Sequence, residues 1–203
     1  MRQTSEQIDL GILDVAAGIF ATHGYGHTSV QQVADAVGYS KAGLLHRFGS
    51  KEALYRAVVA EGSRVADGVI DEVTALPEGA DRSREQLEVL SRHVLRRTGM
   101  VRLLISSFEP TNEDPMNEEV RNLGIRVLST LAPVQAGPVD NLRVVLALQL
   151  LVNASLAQLA MTPLDVALPE NELIQLMVDL AMQVLPESTV LAPANGAARR
   201  KRR

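Results

Sequence analysis

Residues 29–54 read Ser-Val-Gln-Gln-Val-Ala-Asp-Ala-Val-Gly-Tyr-Ser-Lys-Ala-Gly-Leu-Leu-His-Arg-Phe-Gly-Ser-Lys-Glu-Ala-Leu. Ser29, Ser40 and Ser50 each stand just ahead of an apolar-periodic run. A serine oxygen there accepts a hydrogen bond from a free N–H of the first helical turn, so the spacing predicts helices starting at about Val30, Lys41 and Lys51. Gln32 follows Ser29 by three residues and completes a capping box. The first of these helices buries Val33, Ala34 and Val37 and ends at Gly38, where a left-handed residue closes a helix without a Cβ clash. The second runs from Lys41 to Phe48 and buries Leu44 and Phe48 at four-residue spacing. Two short helices joined by Gly38-Tyr39-Ser40 form a helix-turn-helix, whose second helix is free to project into a DNA major groove.

Upstream, Ile8, Ile12, Val15, Ala16, Ile19 and Phe20 recur at helical steps, so a helix over about 6–22 is expected, stopped by Gly24. Downstream, the helix capped by Ser50 continues through Leu54 and Val58 to about Val69 and links the first body to a second. Beyond residue 70 the pattern is helical throughout, with helices expected at about 82–98, 100–107, 116–132, 139–161 and 170–185 and proline-marked loops between them. No stretch alternates as a strand would, and the fold class is all-α. Apolar residues including Leu142, Leu146 and Leu151 wrap right round the helix at 139–161, and Leu173, Met177 and Leu180 crowd the next one. One small domain cannot cover such helices on all sides, so a four-helix dimer interface is expected. The organisation is then a helix-turn-helix body over 1–60, a helical body with the expected dimer interface over 61–187, and a disordered basic tail over 188–203.

Composition narrows the function. The 203 residues contain no cysteine, which excludes disulfides, thiolate metal sites and a cysteine nucleophile, and fits a reducing cytoplasm. Residues 1–60 carry five basic and five acidic side chains, residues 61–198 ten and nineteen, and Arg199 to Arg203 five basic ones. Nucleic-acid binding must therefore come from local arrangement, because the acidic majority repels phosphate. Residues 1–20 do not read as a signal peptide, since Glu6, Asp9 and Asp14 interrupt the apolar positions. The uncharged run Val144 to Leu164 is broken by Gln149, Asn153, Ser155 and Gln158, which suits a helix buried between protein surfaces and no membrane span. There is no phosphate-cradling glycine loop and no zinc signature, and Gly24 and Gly26 break the helix that would pair His23 with His27. Neither an enzyme nor a metal site nor a cofactor is expected.

Ala16-Ala17-Gly18-Ile19-Phe20-Ala21-Thr22-His23-Gly24-Tyr25, Thr28 to Ala34, Gly38 to Leu44 and Phe48-Gly49-Ser50-Lys51-Glu52-Ala53-Leu54 together resemble the TetR family of transcriptional regulators. The resemblance spans about residues 10–58, and the rest of the chain matches only in layout. It implies a homodimer that binds a palindromic operator and releases it when a small molecule enters the second body. Leu45 stands where this family commonly has an aromatic residue.

In a helix-turn-helix the start of the second helix faces base edges, which points to Lys41, Ala42 and Gly43, with His46 one turn on. Lys41 is suited to donate to guanine, Ala42 to meet a thymine methyl, and Gly43 to allow close backbone approach. Ser29, Tyr39, Arg47 and Lys51 are candidates for phosphate contacts, Ser40 for the cap that seats the helix, and Gln31, by the resemblance, for a base or phosphate contact.

The second body has no tryptophan or tyrosine and a single phenylalanine, Phe108, so an aliphatic cavity and a lipophilic effector are expected. Met100, Phe108 and Asn153 are its candidate ligand contacts, and Arg96, Arg97, Arg102, Gln149 and His93 further polar anchors. Repression is the expected mode. Ligand-responsive activation and a dimeric protein-binding adaptor are the alternatives.

Overall fold

The structure is a computed structural model that describes residues 4–77, 79, 81–108, 117–131, 137–164 and 166–185. The expected tail at 188–203 lies outside the described residues. Nine α-helices and no strand are found among the described residues: α1 Ser5–His27, α2 Val30–Ala36, α3 Lys41–Phe48, α4 Lys51–Ala75, α5 Arg82–Arg96, α6 Thr98–Ser106, α7 Asn117–Leu131, α8 Pro138–Met161 and α9 Glu170–Val184. A 3₁₀ turn, Thr162–Leu164, extends α8.

Local chemistry sets these boundaries. Thr4 and Gln7 exchange bonds in a capping box that opens α1. Ser29 and Gln32 do the same for α2, at 3.2 and 2.7 Å. Ser40 Oγ accepts from the Gly43 N–H at 3.0 Å, and Ser50 Oγ from the Ala53 N–H at 3.0 Å. Gly38, at φ 71°, closes α2 while the Tyr39 N–H reaches back to the Ala34 carbonyl at 2.8 Å. The expected stop at Gly24 is a break within α1 rather than its end. Gly24 takes φ 75° and ψ 160°, and a short helical turn continues to His27. The helix capped by Ser50 runs past the expected Val69 to Ala75.

Two apolar cores result. The first gathers Leu13, Ala17 and Phe20 of α1, Val33 of α2, Leu44 of α3 and Leu54 and Val58 of α4, all buried. It also takes in Met100, Leu103 and Leu104 of α6 and Val120 and Leu123 of α7, so it reaches well beyond residue 60. Full burial of a side chain such as Leu44 is worth about 1.5–3 kcal/mol, which makes α6 and α7 part of what holds the helix-turn-helix in place. The second core joins α4, α5, α7, α8 and α9 through Val73, Leu87, Leu90, Leu131, Leu151 and Met177.

The α1–α6 crossing is close because both helices put glycine there. A Cβ on Gly99 would lie 1.9 Å from the Asp14 carbonyl oxygen, and one on Gly18 3.5 Å from the Gly99 Cα. Asp14 also caps α6 from α1, its carboxylate accepting the Met100 N–H at 3.0 Å and the Gly99 N–H at 3.3 Å. Thr98, at the start of α6, joins the other side by a 2.7 Å bond to Ser155 of α8. The α8 segment together with its 3₁₀ turn is long and apolar enough to cross a membrane by length and composition. In the chain it packs one face on the second core through Val144, Ala147 and Leu151 and leaves Val139, Leu142, Leu146 and Leu159 exposed. The sequence expectation that a single chain cannot cover this helix is met in that form.

Candidate nucleic-acid interface and cavity

Helix α3 stands outward from the first core, anchored by Leu44 and partly by Phe48. Its Lys41, Ala42 and His46 are exposed, and Lys41 and His46 have no hydrogen-bond or ion-pair partner among the described residues. Gly43 is what lets the cap form closely, since a Cβ there would sit 3.1 Å from Ser40 Oγ and 3.8 Å from the Tyr39 ring. Gln31 is exposed on α2 and donates to Asp35 at 2.6 Å. Ser29, Ser40 and half-buried Tyr39 lie at the two ends of the turn motif. The sequence-selected residues thus share one region, and a helix start with a free lysine, a methyl and an imidazole is suited to base edges in a major groove.

Two of the expected phosphate contacts are also committed inside the fold. Arg47 pairs through Nε with the Asp9 carboxylate, and its Nη2 donates to the Ser5 carbonyl at 3.0 Å and Ser5 Oγ at 2.9 Å. The bond to Asp9 holds the guanidinium pKa above its ordinary value. Lys51 lies 4.3 Å over the Tyr25 ring and donates to the Gly26 carbonyl at 3.4 Å. Tyr25 in turn stacks on Phe20 at 6.0 Å and meets Tyr55 edge-on at 5.0 Å. Asp9 and Tyr25 therefore support the motif from α1, while Asp14 ties α1 to α6. Sequence reasoning passed over them because their partners are remote in the chain; only the break at Gly24, which turns Tyr25 back, hints at the Lys51 contact.

The second body encloses an apolar cavity of about 60 Å³ between α4, α5, α6, α7 and α8. Phe108 is on its wall, as are Val69, Leu90, His93, Ile105, Leu128 and Leu148. The Phe108 ring is seated on Gly124, where a Cβ would come within 2.6 Å of it. Met100 lies instead in the first core, its sulfur 3.4 Å from the Cβ position of Gly62, and Asn153 is exposed on α8. Neither lines the cavity, because the apolar pattern of α6 and α8 did not say which neighbour each face meets. Of the polar anchors considered, Arg96 and Gln149 are exposed, Arg97 and Arg102 are absent from the wall, and His93 is on it, bonded to Glu72 of α4 at 3.1 Å. No cluster of three potential metal ligands occurs among the described residues.

The described residues thus present a capped helix-turn-helix on one core and an apolar cavity at the other. Residues 12–58 match the family model described as bacterial regulatory proteins of the tetR family. It is 29% identical over 132 residues to the HTH-type transcriptional repressor KstR2 of Rhodococcus jostii (strain RHA1), a match covering 58% of this chain and 61% of that repressor. It is 39% identical over 59 residues to the HTH-type transcriptional repressor AcnR of Corynebacterium efficiens, covering 29% and 31% of the two chains. The chain therefore spans less than two thirds of the length of either relative. The fold is shared with the TetR-like transcriptional regulator LfrR from Mycobacterium smegmatis, at a TM-score of 0.61 and 15% identity over 89% of this chain and 97% of that one. These relatives are named as regulators and repressors, not as enzymes.

Proposed function

We propose that the protein is a homodimeric transcriptional repressor that binds a palindromic operator through residues 29–51 and releases it when a lipophilic small molecule enters the second body. The observation that carries this reading is the exposed, unpartnered start of α3, with Lys41, Ala42 and His46 presented on a doubly capped frame. The naming of both curated relatives as repressors favours repression over activation and over a protein-binding adaptor. A DNA partner fits a location in the bacterial cytoplasm.

The exposed leucines of α8, with Leu176 and Leu180 of α9, support dimerisation, since a second copy across a two-fold axis would cover them. A two-fold dimer carries two recognition helices in inverted relation, and hence reads a palindrome. Phe108 and the walls around it support an effector site. At about 60 Å³ the cavity is well below the ~300–1,000 Å³ of occupied ligand pockets, so entry has to push the Phe108 ring, α6 or α7 aside. Helix α6 is the element that Asp14 ties to α1, which gives such a shift a route to the DNA-binding body.

Salt-dependent titration of duplex DNA tests the interface. Lys51→Ala is expected to weaken binding to all sequences alike and to lower the slope of log affinity against log salt by about one unit. A loss confined to one base position would instead assign Lys51 to base reading, and an unchanged slope would remove it from the interface.

A further inference from the structure

A surface groove of about 290 Å³ runs between α7 and α8, lined by Ile125, Leu128, Ser129, Asn141, Val144 and Val145. Leu128 and Val145 also line the inner cavity. These two half-buried aliphatic side chains, one from each helix, are therefore a partition with the groove on one side and the cavity on the other. Helix α7 packs chiefly on α4 and α8 chiefly on α9, and the two meet each other over a much shorter stretch. No hydrogen bond or ion pair joins α7 to α8 among the described residues, so parting them here breaks few contacts. The cavity alone is well below the ~300–1,000 Å³ of occupied ligand pockets, whereas cavity and groove joined reach the lower end of that range.

The groove also supplies the polarity that the cavity lacks. Inside, His93 is the one polar residue on the wall, and Glu72 already engages it. In the groove, Ser129 and Asn141 are exposed, and neither side chain has a hydrogen-bond partner among the described residues. The flanking charges are engaged elsewhere: Asp140 accepts the Gly137 N–H at 3.4 Å, and Arg126 pairs with Asp67. A charged head group would find no free counter-charge, while a hydroxyl or carbonyl finds an amide and a hydroxyl that both donate and accept. Leu142 and Leu146 each follow a groove residue by one position, about 100° round the helix, so the groove lies beside the exposed leucine face and not within it. We propose that the α7–α8 seam is the entrance of the cavity and the outer half of its site. The occupant is an amphipathic molecule whose aliphatic body passes Leu128 and Val145 and whose uncharged hydroxyl or carbonyl head stays between Ser129 and Asn141. The inference rests on reading the cavity as the effector site.

The chain has no cysteine, so Ser129→Cys puts a unique thiol on the groove and Asn171→Cys puts one on α9, outside it. The full chain is titrated calorimetrically with 1-octanol, octanoate and octylammonium. The wild type is expected to bind the alcohol at least tenfold more tightly than either ion. Alkylating Ser129→Cys with fluorescein maleimide is expected to weaken octanol binding at least tenfold, while alkylated Asn171→Cys binds as the wild type does. Asn141→Ala, at an exposed position of α8, is expected to lose about fivefold in octanol affinity with an unchanged melting temperature. Undiminished octanol binding by the alkylated Ser129→Cys protein overturns the proposal, because the cavity then fills by another route. So does wild-type affinity in Asn141→Ala, or a folded wild type that binds an ion as well as the alcohol or binds none of the three. Duplex DNA binding without probe is measured on the same samples. Its absence alongside octanol binding strikes the regulator reading, whereas intact DNA binding with octanol binding that ignores both groove variants strikes the entrance alone.

Discussion

Arg47→Ala cuts the Asp9 pairing and both bonds to Ser5 at once, and so separates a structural debt from a DNA contact. With both partners partly exposed, a small loss of stability is expected, read as a lower denaturant midpoint. Unchanged stability would mean that the contact holds nothing together. Lys41→Ala has no such internal cost, since Lys41 has no partner among the described residues, and is expected to weaken operator binding by about 1–3 kcal/mol and relax preference at one base pair per half-site. Unchanged preference would take Lys41 off the base edges. Asp14 adds a pH dependence. Burial pushes its carboxyl pKa above the ordinary 3.8, outweighing the N–H bonds from Met100 and Gly99 and the charge of Arg97. The native state then holds its proton to higher pH than the unfolded chain does, so this group costs stability as pH rises from 3.8 through the raised value and returns it on acidification through the same window. Asp14→Asn is expected to flatten that part of the stability profile, and a profile with the same slope in both proteins would contradict the assignment. At this scale the caps were legible because Ser29, Ser40 and Ser50 act within four residues of themselves. Asp9 with Arg47 and Asp14 with Met100 were not, because nothing local marks a partner on another helix.

Among the elements, α2, α3 and the start of α4 were readable from caps, glycine stops and apolar spacing together. Gly24 shows the limit of such reading: the residue breaks the helix as expected, yet Tyr25 to His27 regain one turn because Tyr25 packs against Phe20 and Tyr55. The α1–α6 crossing was invisible in the sequence, since Gly18 and Gly99 carry no pattern that pairs them. Gly99→Ala is the sharpest test of that crossing. Its Cβ would meet the Asp14 carbonyl, which is backbone and cannot swing away. The expected outcome is a loss of at least about 2 kcal/mol, toward the large end for overpacking, measured by chemical unfolding. A fully stable variant would show that α1 and α6 are not held so closely. The same apolar uniformity explains the ligand residues: Phe108 reached the cavity whereas Met100 turned to the first core, and both sit in one apolar helical stretch whose faces only packing distinguishes.

For the whole molecule, the all-α class and the two-body layout were legible because helical periodicity runs through the entire chain, but the boundary near residue 60 was drawn more cleanly than the packing allows. Met100, Leu123 and their neighbours complete the first core from beyond it. The surplus of leucine was readable in the sequence, but which leucines the chain itself leaves uncovered was not. Leu151, expected from its helix to serve the interface, is wholly buried within the chain, whereas Leu142 and Leu146 of the same helix are 57% and 45% exposed. Leu146→Glu is therefore the informative substitution, with sedimentation expected to show folded monomers. A dimer that survives it would place the interface elsewhere. The central claim, that two copies of α3 read an inverted repeat, is tested most directly by selecting DNA from a random pool with the purified protein at about physiological salt, where specific contacts outweigh the general attraction to phosphate. The account predicts enrichment of one palindromic sequence, lost in Lys41→Ala at one position of each half-site. A folded protein that enriches nothing, with or without bacterial extract to supply effector, or that enriches a single half-site without its inverse, would contradict it.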